Sequence, residues 1–384
     1  MRFVHIADVH LGATPDWGMP WGELRQKEIW DSFDRVIDVC NKEKADLLLI
    51  AGDLFHRQPK LSELKELNYR LGKLNSARAV IMAGNHDYIG ARSYYQNFEW
   101  NDRVYIFLKD TIEAVEFPDI NTVVYGLSYL SRDITEPLYD NVKPEHKDRI
   151  NILLAHGGDE KNIPINRKKL LESGFDYIAL GHIHKPEIIS ERMAYSGSLE
   201  PLDKNEIGSR GYIIGDIEIS NNAYEGLKAS AADQAVAAGV KSAVSGRQIT
   251  TDISIRFVPA SGREYKRIEL EVNAGDTNGS LLDKAKEAIK SNGERHIYSF
   301  YIKGFRDADI KFDTEAIKKL GNICEVTDES LPDYDFDALF RENSDNLIGL
   351  FIERIRQKAD QDELAKKALY YGIEALLGAR DMNK

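Results

Sequence analysis

Short apolar runs alternate with longer polar stretches through the first half of the 384-residue chain. RFVHIA (2–7), DLLLIA (46–51) and ARAVIMA (77–83) read as buried strands. Between them, ELRQKEIWDSFDRVIDVCNKEK (23–44) and LSELKELNYRLGKL (61–74) read as helices. A strand–helix–strand–helix–strand start predicts a layered α/β core. Further apolar runs follow at VYIF (104–107), TVVYGL (122–127), NILLAH (151–156), YIALGH (177–182) and GYIIGDIEI (211–219). Their shorter, turn-rich spacing predicts additional antiparallel strands.

The pattern then breaks. Residues 221–250 hold LKASAADQAVAAGVKSAVSGRQ (227–248), which is mostly Ala, Ser, Gly and Val. It reads as a soft helix or a flexible linker, and in either case separates domains. Beyond it, REYKRIELEV (263–272), LLDKAKEAIKSN (281–292) and YSFYIKGF (298–305) predict a small α+β module over 251–337. Residues 338–384 are helical in pattern. Leu347, Ile348, Phe351, Ile352 and Ile355 form one apolar stripe, and Leu364, Ala368, Tyr371, Ala375 and Leu376 a second. Two short helices with that much apolar surface must dock on their own domain or on a partner.

Composition narrows the class. A 42% hydrophobic content supports a sizeable core, and no run approaches the roughly 18 apolar residues of a membrane span. MRFVHIADVH reads as a strand and not a signal peptide, lacking a long apolar stretch and a small-residue cleavage site. Cys40 and Cys324 stand far apart, which points to a reducing cytoplasm and away from disulfide or zinc-thiolate frameworks. The net charge of −12 argues mildly against wholesale nucleic-acid binding, although a local basic groove or a bound cation is compatible with it.

The candidate chemistry lies at the strand ends. Asp8-Val9-His10 follows the first strand, Gly52-Asp53-Leu54-Phe55-His56 the second and Gly84-Asn85-His86-Asp87 the third. His156-Gly157-Gly158 and Gly181-His182-Ile183-His184 end two later ones. Six of the nine histidines occupy these five places. Ligands gather at the carboxyl ends of strands in open α/β sheets, so the five clusters are expected on one rim. An extended backbone would point residues i and i+2 the same way, which suits Asp8 with His10 and His182 with His184. The donors are Asp, His and Asn without Cys, a set that favours Mn, Fe or Zn. Asp8, His10, Asp53, Asn85, His156, His182 and His184 exceed what one ion needs, so two ions sharing a carboxylate is the economical reading. Two ions roughly 3.5–4 Å apart clamp a phosphoryl group and make water nucleophilic at neutral pH. His5 points away from Asp8 and reads as a packed strand residue, while His146 and His296 read as surface residues.

The order DxH, GDxx, GNH(D/E), H, GHxH resembles the calcineurin-like metallophosphoesterase superfamily over residues 1 to about 220. Within it, AGDLFH and AGNHD look like the SbcD-type DNA double-strand-break repair nucleases, and the tail KKALYYGIEALL looks like their YhaO-like bacterial subgroup. Phosphoprotein phosphatases of the superfamily continue GDxx with Asp-Arg-Gly, whereas Asp53 is followed here by Leu54, Phe55, His56 and Arg57.

The resemblance implies a phosphoesterase β-sandwich flanked by helices (1–220), an α+β cap that seats DNA (251–337) and C-terminal helices (338–384) that bind an SbcC-type ABC ATPase with a coiled coil. The Ala-rich stretch is longer than the short connection expected of such a chain. One ion would take Asp8, His10, Asp53 and His184. The other would take Asp53, Asn85, His156 and His182, with Asp53 bridging and Mn2+ the favoured metal. His86 matches the position that stabilises the scissile phosphate or protonates the leaving oxygen, and His56 the position that contacts the nucleotide. The implied activities are a 3′–5′ exonuclease on double-stranded DNA and an endonuclease on single strands, acting on ends and hairpins. A homodimer is also implied, and Leu64, Leu67, Leu71 and Leu74, with Tyr94, Tyr95 and Phe98, form either its helical face or a stripe packed on the sheet. Arg57, Arg92, Lys185 and the run Arg167-Lys168-Lys169 are basic candidates for phosphate contact, the run reading equally as a solvated helix face. The competing readings are a small-substrate phosphodiesterase, a phosphoprotein phosphatase and a catalytically weak scaffold subunit.

Overall fold

Strand Leu47–Ala51 shows how the core is built, because its five residues are all buried. Leu47, Leu49 and Ala51 face one apolar cluster, while Leu48 and Ile50 face another. A strand covered on both sides needs an unbroken apolar run, which is the pattern DLLLIA shows. The computed structural model describes residues 1–220, 249–359 and 362–382. The expected linker at 227–248 lies outside the described residues.

The chain divides into two units, Met1–Glu264 and Tyr265–Lys384. In the first, one six-stranded sheet runs in the order 250–259, 211–220, 2–6, 47–51, 78–82, 104–106. A second runs 113–117, 122–126, 150–156, 177–181, 193–195, 187–190. The two sheets share the cluster that joins Phe3, Leu49 and Val80 to Val124, Ile152, Leu154 and Tyr177. Helices Gly22–Lys42 and Leu61–Leu71 cover the outer face of the first sheet with Ile29, Phe33, Val36, Leu64 and Leu67. This is the mixed α/β, two-sheet layering expected of the fold class.

Two expectations change. The turn-rich spacing predicts antiparallel strands after residue 104. Gly211–Ser220 does pair antiparallel with both its neighbours, and Glu113–Phe117 antiparallel with Thr122–Gly126. Thr122–Gly126, Ile150–His156 and Tyr177–Gly181 instead pair in parallel with one another, with Met193–Tyr195 parallel beyond them. Long crossovers make this possible, and the result is functional: carboxyl ends from both sheets reach the same rim. The stripe Leu64, Leu67, Leu71 and Leu74 is fully buried in the helix–sheet core, as is Tyr95, which leaves the stripe no surface for a dimer. Truncating one such leucine to alanine costs about 2–5 kcal/mol of stability.

Thr250–Pro259 lies in the stretch assigned to the cap, and it pairs along its whole length with Gly211–Ser220 in the first sheet. The second unit begins with the parallel strands Tyr265–Val272, Ile297–Arg306 and Ile323–Asp328, crossed by helices Asn278–Asn292 and Thr314–Lys318. Thr277 caps the first helix by accepting from the Ser280 amide. Helices Phe336–Glu342, Leu347–Ala359 and Glu363–Met382 follow, with Ile348, Ile352, Leu369 and Ile373 at the centre of their own small core. Among the described residues, no helix is long and apolar enough to cross a membrane.

Candidate metal centre

The rim is assembled from chain ends that leave their strands abruptly. Asp8, His10, Asp53 and His182 have φ of 51°, 52°, 49° and 94°, and they are four of eight non-glycine residues with positive φ among those described. Each such residue costs of order 1–3 kcal/mol and persists only where its surroundings enforce it. Asp8 and His10 are therefore brought together by left-handed kinks and not by the extended i, i+2 geometry expected of DxH. The kinks are held by main-chain bonds between the two loops, Asp8 N to Gly52 O at 3.1 Å and His10 N to Asp53 O at 3.1 Å. Asp8 also reaches the second sheet, where both its oxygens accept from the His182 amide at 3.0 Å. Glycine is required where the backbone passes a ligand: at Gly52, with φ of 87°, an added Cβ would strike the His156 ring, and at Gly84 it would strike the Asp53 carboxylate.

The seven residues expected to bind metal all meet here. Asp8, His10 and His184 form one group of converging ligand atoms, and Asp53, His156 and His182 a second. Asp53 stands between them, with Oδ2 3.9 Å from His10 Nε2 and 3.5 Å from His156 Nε2. Its other oxygen accepts from the His86 amide at 2.8 Å. Asn85 Oδ1 lies 3.0 Å from His156 Nε2 and 3.2 Å from His182 Nδ1. Asp8, His10, Asp53, Asn85 and His156 are buried.

The other two expected residues lie further out. His56 is exposed and His86 half-buried, and their rings stack with centroids 5.2 Å apart. His86 Nδ1 is 3.1 Å from the His56 carbonyl oxygen. A carbonyl only accepts, so Nδ1 carries the proton and Nε2 is left with its lone pair. His10, His56 and His86 also converge, and His56 Nδ1 is 3.3 Å from His10 Nδ1. His5 packs in its strand, buried, with Nδ1 2.9 Å from the Tyr177 hydroxyl. His146 is half-buried near Glu116.

The donor set fits divalent cations. His156 Nδ1 donates to the Ala51 carbonyl at 2.9 Å, which aims Nε2 at Asp53 and Asn85. Burial raises the Asp8 carboxyl above its ordinary value, and Asp53 adds to the rise. Burial acts the same way on Asp53, but His156, His10 and His86 together hold that carboxyl well below the usual range. His156 is pushed up to about 9, because Asp53 and Asp8 overcome the penalty of burying its charge. His10 falls well below the ordinary imidazole value through burial, with His184 and His86 beside it. Positive charge is thus drawn to the Asp53 position, where oxygen and nitrogen donors of borderline hardness converge.

Sequence reasoning missed three carboxylates that hold this arrangement. Asp87 is buried and accepts from Gly84 N at 2.8 Å, Phe55 N at 3.2 Å and the Tyr95 hydroxyl at 2.9 Å, fixing the GNHD turn. Asp159 Oδ2 lies 2.7 Å from His182 Nε2, and Glu206 Oε1 2.6 Å from His184 Nδ1. Asp87 sits inside a motif already singled out. The other two are separated in sequence from the histidines they touch, and no spacing rule points to them.

The surrounding basic residues are largely engaged. Arg57 pairs with Glu63 at 2.8 Å, Arg167 with Glu187 at 2.8 Å and Lys169 with Asp140 at 2.7 Å. Arg92 and Lys185 are exposed.

Residues 1–186 match the family model for calcineurin-like phosphoesterases. The chain carries a calcineurin-like phosphoesterase domain. The phosphoesterase domain's relatives include the metallophosphoesterase YhaO of Bacillus subtilis (strain 168), 28% identical over 246 residues, which are 59% of this chain and 59% of that protein. They also include the DNA double-strand break repair protein Mre11 of Methanocaldococcus jannaschii, 32% identical over 231 residues, 54% of this chain and 58% of that protein. The chain thus spans less than two thirds of either relative's length.

Proposed function

We propose that the protein is a Mn2+-dependent DNA nuclease of the SbcD type that hydrolyses phosphodiester bonds at a dinuclear site. The observation that supports this best is the pair of ligand groups meeting at Asp53 on a rim of strained residues. Asp8, His10, Asp53 and His184 would hold one ion, and Asp53, Asn85, His156 and His182 the other. When bound, the ions supply Lewis-acid charge to the phosphoryl oxygens and lower the pKa of water.

The chain's own residues do the rest. Asp53 keeps Oδ1 on the His86 amide and leaves Oδ2 facing both groups. The floor of Asp8, His156 and Asn85 excludes water from the carboxylates. As the water oxygen adds to phosphorus in line, the bond to the 3′ oxygen breaks. His86 keeps Nδ1–H on the His56 carbonyl, takes up a proton at its bare Nε2, and as the imidazolium steadies the phosphate charge or passes that proton to the leaving oxygen. His56, exposed beside it, contacts the nucleotide.

The name of the archaeal relative, a DNA double-strand break repair protein, supports a DNA substrate. By the same resemblance the activities are 3′–5′ exonuclease on double-stranded ends and endonuclease on single strands and hairpins, in a cytoplasmic repair complex. The second unit would seat DNA with its parallel sheet and bind an SbcC-type ATPase with its terminal helices. A homodimer, also implied, would use a surface other than the buried leucine stripe.

One observation favours a smaller substrate. The net charge is −12, and Arg57, Arg167 and Lys169 are already paired with carboxylates. Plasmid and hairpin DNA, bis(p-nitrophenyl) phosphate and a phosphopeptide should be tested side by side, with and without Mn2+. Mn2+-dependent cleavage of DNA is expected. Turnover of only the small diester or the phosphopeptide would move the protein to the phosphodiesterase or phosphatase reading, and no turnover to a scaffold.

A further inference from the structure

His184 is half-buried, and its two ring nitrogens face different worlds. Nε2 points inward, 3.1 Å from His10 Nε2, within the group that also contains Asp8. Nδ1 points outward to Glu206 Oε1 at 2.6 Å. Glu206 is itself fixed at both oxygens. Oε2 accepts from the Leu202 amide at 3.0 Å and lies 3.8 Å from Arg210 Nε. The Glu206 amide donates to the Asp203 carbonyl at 2.9 Å, closing the turn that carries it. Arg210, buried, ties the end of that turn down by donating to the carbonyls of Ile207, Gly208 and Ser209 at 3.2, 3.3 and 3.3 Å. The loop start is anchored to the histidine as well, since the Ser198 amide donates to the His184 carbonyl at 3.0 Å.

We propose that Glu206 is a positioning residue: it holds His184 as the Nδ1–H tautomer with Nε2 bare and aimed at the Asp8–His10 group, and so sets the affinity of one of the two ion positions. The inference rests on the dinuclear reading above and names a residue that reading does not contain.

A carboxylate accepts and never donates when ionised, so the proton between Glu206 and His184 belongs to Nδ1. Nε2 must then present a lone pair, the form a metal ligand needs. Without the carboxylate the ring is free to swing and to protonate Nε2. Glutamine cannot replace it cleanly, because one acceptor oxygen would have to serve two donors, His184 Nδ1–H and the Leu202 amide. Asp159 makes a similar bond to His182 Nε2 at 2.7 Å, but its side chain is 49% exposed against 17% for Glu206. Water competes for the first contact far more than for the second. Among the described residues no carboxylate meets His156 Nδ1; the Ala51 carbonyl fixes its tautomer instead. The two ion positions are therefore held by different devices, and only one depends on Glu206.

Two measurements test this on the full chain. In the metal-free protein, at a pH where imidazole is neutral, long-range proton–nitrogen NMR correlations report each histidine tautomer. His184 is expected as Nδ1–H in the wild type and shifted towards Nε2–H in Glu206→Ala. Calorimetric titration with Mn2+ should show two ions in the wild type. In Glu206→Ala one affinity should fall by about 10–100-fold with the other unchanged, and Glu206→Gln should lie between. Unchanged melting of the metal-free variants separates this from a general loss of structure; if the alanine variant does not fold, the glutamine variant carries both measurements. An Nε2–H tautomer for His184 in the wild type overturns the proposal. So do two wild-type affinities in Glu206→Ala, or an equal fall in both. A wild type that takes up no Mn2+ while showing the expected tautomer change overturns the dinuclear reading instead, and leaves the orientation of His184 by Glu206 standing.

Discussion

The floor and the outer edge of the site are built on opposite terms. On the floor, Asp8, Asp53 and His156 are buried and tied to main-chain atoms of other strands, and Asp8 and Asp53 sit in left-handed backbone. At the edge, His56 is exposed, and among the described residues the His86 side chain makes one hydrogen bond, to the His56 carbonyl. Burial makes an unpaired charge costly, so the floor is a place where cations are held. Exposure and a bare ring nitrogen make the edge a place where a proton can be exchanged with a substrate.

The contrast breaks first at Asp53. Asp53→Asn keeps the volume but removes the charge that both ligand groups share. Metal content should fall from two ions towards none, and cleavage by on the order of 10⁴-fold or more, the scale seen when one member of a cooperating catalytic set is removed. Full Mn2+ occupancy with near-normal turnover would end the dinuclear assignment. At the edge, His86→Asn should keep both ions and keep substrate binding while cleavage falls about 10²–10⁴-fold. Elemental analysis of the purified variant checks this, since loss of metal there would make His86 part of the floor.

How much of this was legible in the sequence depended on whether the information was local. The five strand-end clusters were visible because each ligand is adjacent to the apolar run that carries it. Strand Leu47–Ala51 and helix Leu61–Leu71 were visible because each buries the residues its period predicts. The parallel pairing of Ile150–His156 with Tyr177–Gly181 was not, because turn-rich spacing does not reveal where a crossover lands. The left-handed kinks at Asp8 and His10 were hidden for a related reason: the cross-loop bonds that enforce them come from Gly52 and Asp53. Glu206 meets His184 only because the chain between them, through strands 187–190 and 193–195, folds back, which no pattern in 184–206 states. The leucine stripe of Leu61–Leu71 had two readings from its period alone, and only the sheet beneath it decides for packing.

His5 carries the contrast into the strand that supplies Asp8. Its ring is fully buried, and burial lowers its pKa from the ordinary 6.5 to about 3. The unfolded chain therefore binds a proton, below about pH 6.5, that the folded chain refuses. The stability this represents is present above that pH and is lost as pH falls towards 3, at up to about 1.4 kcal/mol per pH unit. His5→Asn can keep a bond to the Tyr177 hydroxyl without titrating. Between pH 6.5 and 4 the wild type should lose about 3 kcal/mol more than the variant in denaturant unfolding. Taking the difference cancels the acid sensitivity of the metal ligands, which both proteins share. Parallel pH profiles would show that His5 accepts a proton without cost.

The smallest effect on stability is expected in the second unit, where burial and exposure again divide a region. In the terminal helices Ile348, Ile352, Leu369 and Ile373 are buried against one another and against Phe336, Leu339 and Phe340. The helices thus supply their own core, and Ile352→Ala should cost about 2–5 kcal/mol in the second unit. Yet Leu347 and Leu364 remain 63% and 75% exposed. Scattered apolar residues are common on surfaces, so exposure alone does not mark an interface. The proposal that these helices bind an SbcC-type ATPase is what makes the two positions informative. Leu347→Glu with Leu364→Glu should move stability by no more than about 0.5 kcal/mol, since neither side chain leaves a packed environment. Mn2+-dependent cleavage should be unchanged, because the ligand set lies wholly within Met1–Glu264. Co-purification with a co-expressed SbcC-type ATPase should be lost, because a helix-in-groove contact does not tolerate two buried carboxylates. A double variant that melts normally, cleaves normally and still co-purifies would mean that these leucines are ordinary surface, and that any partner grips the chain elsewhere.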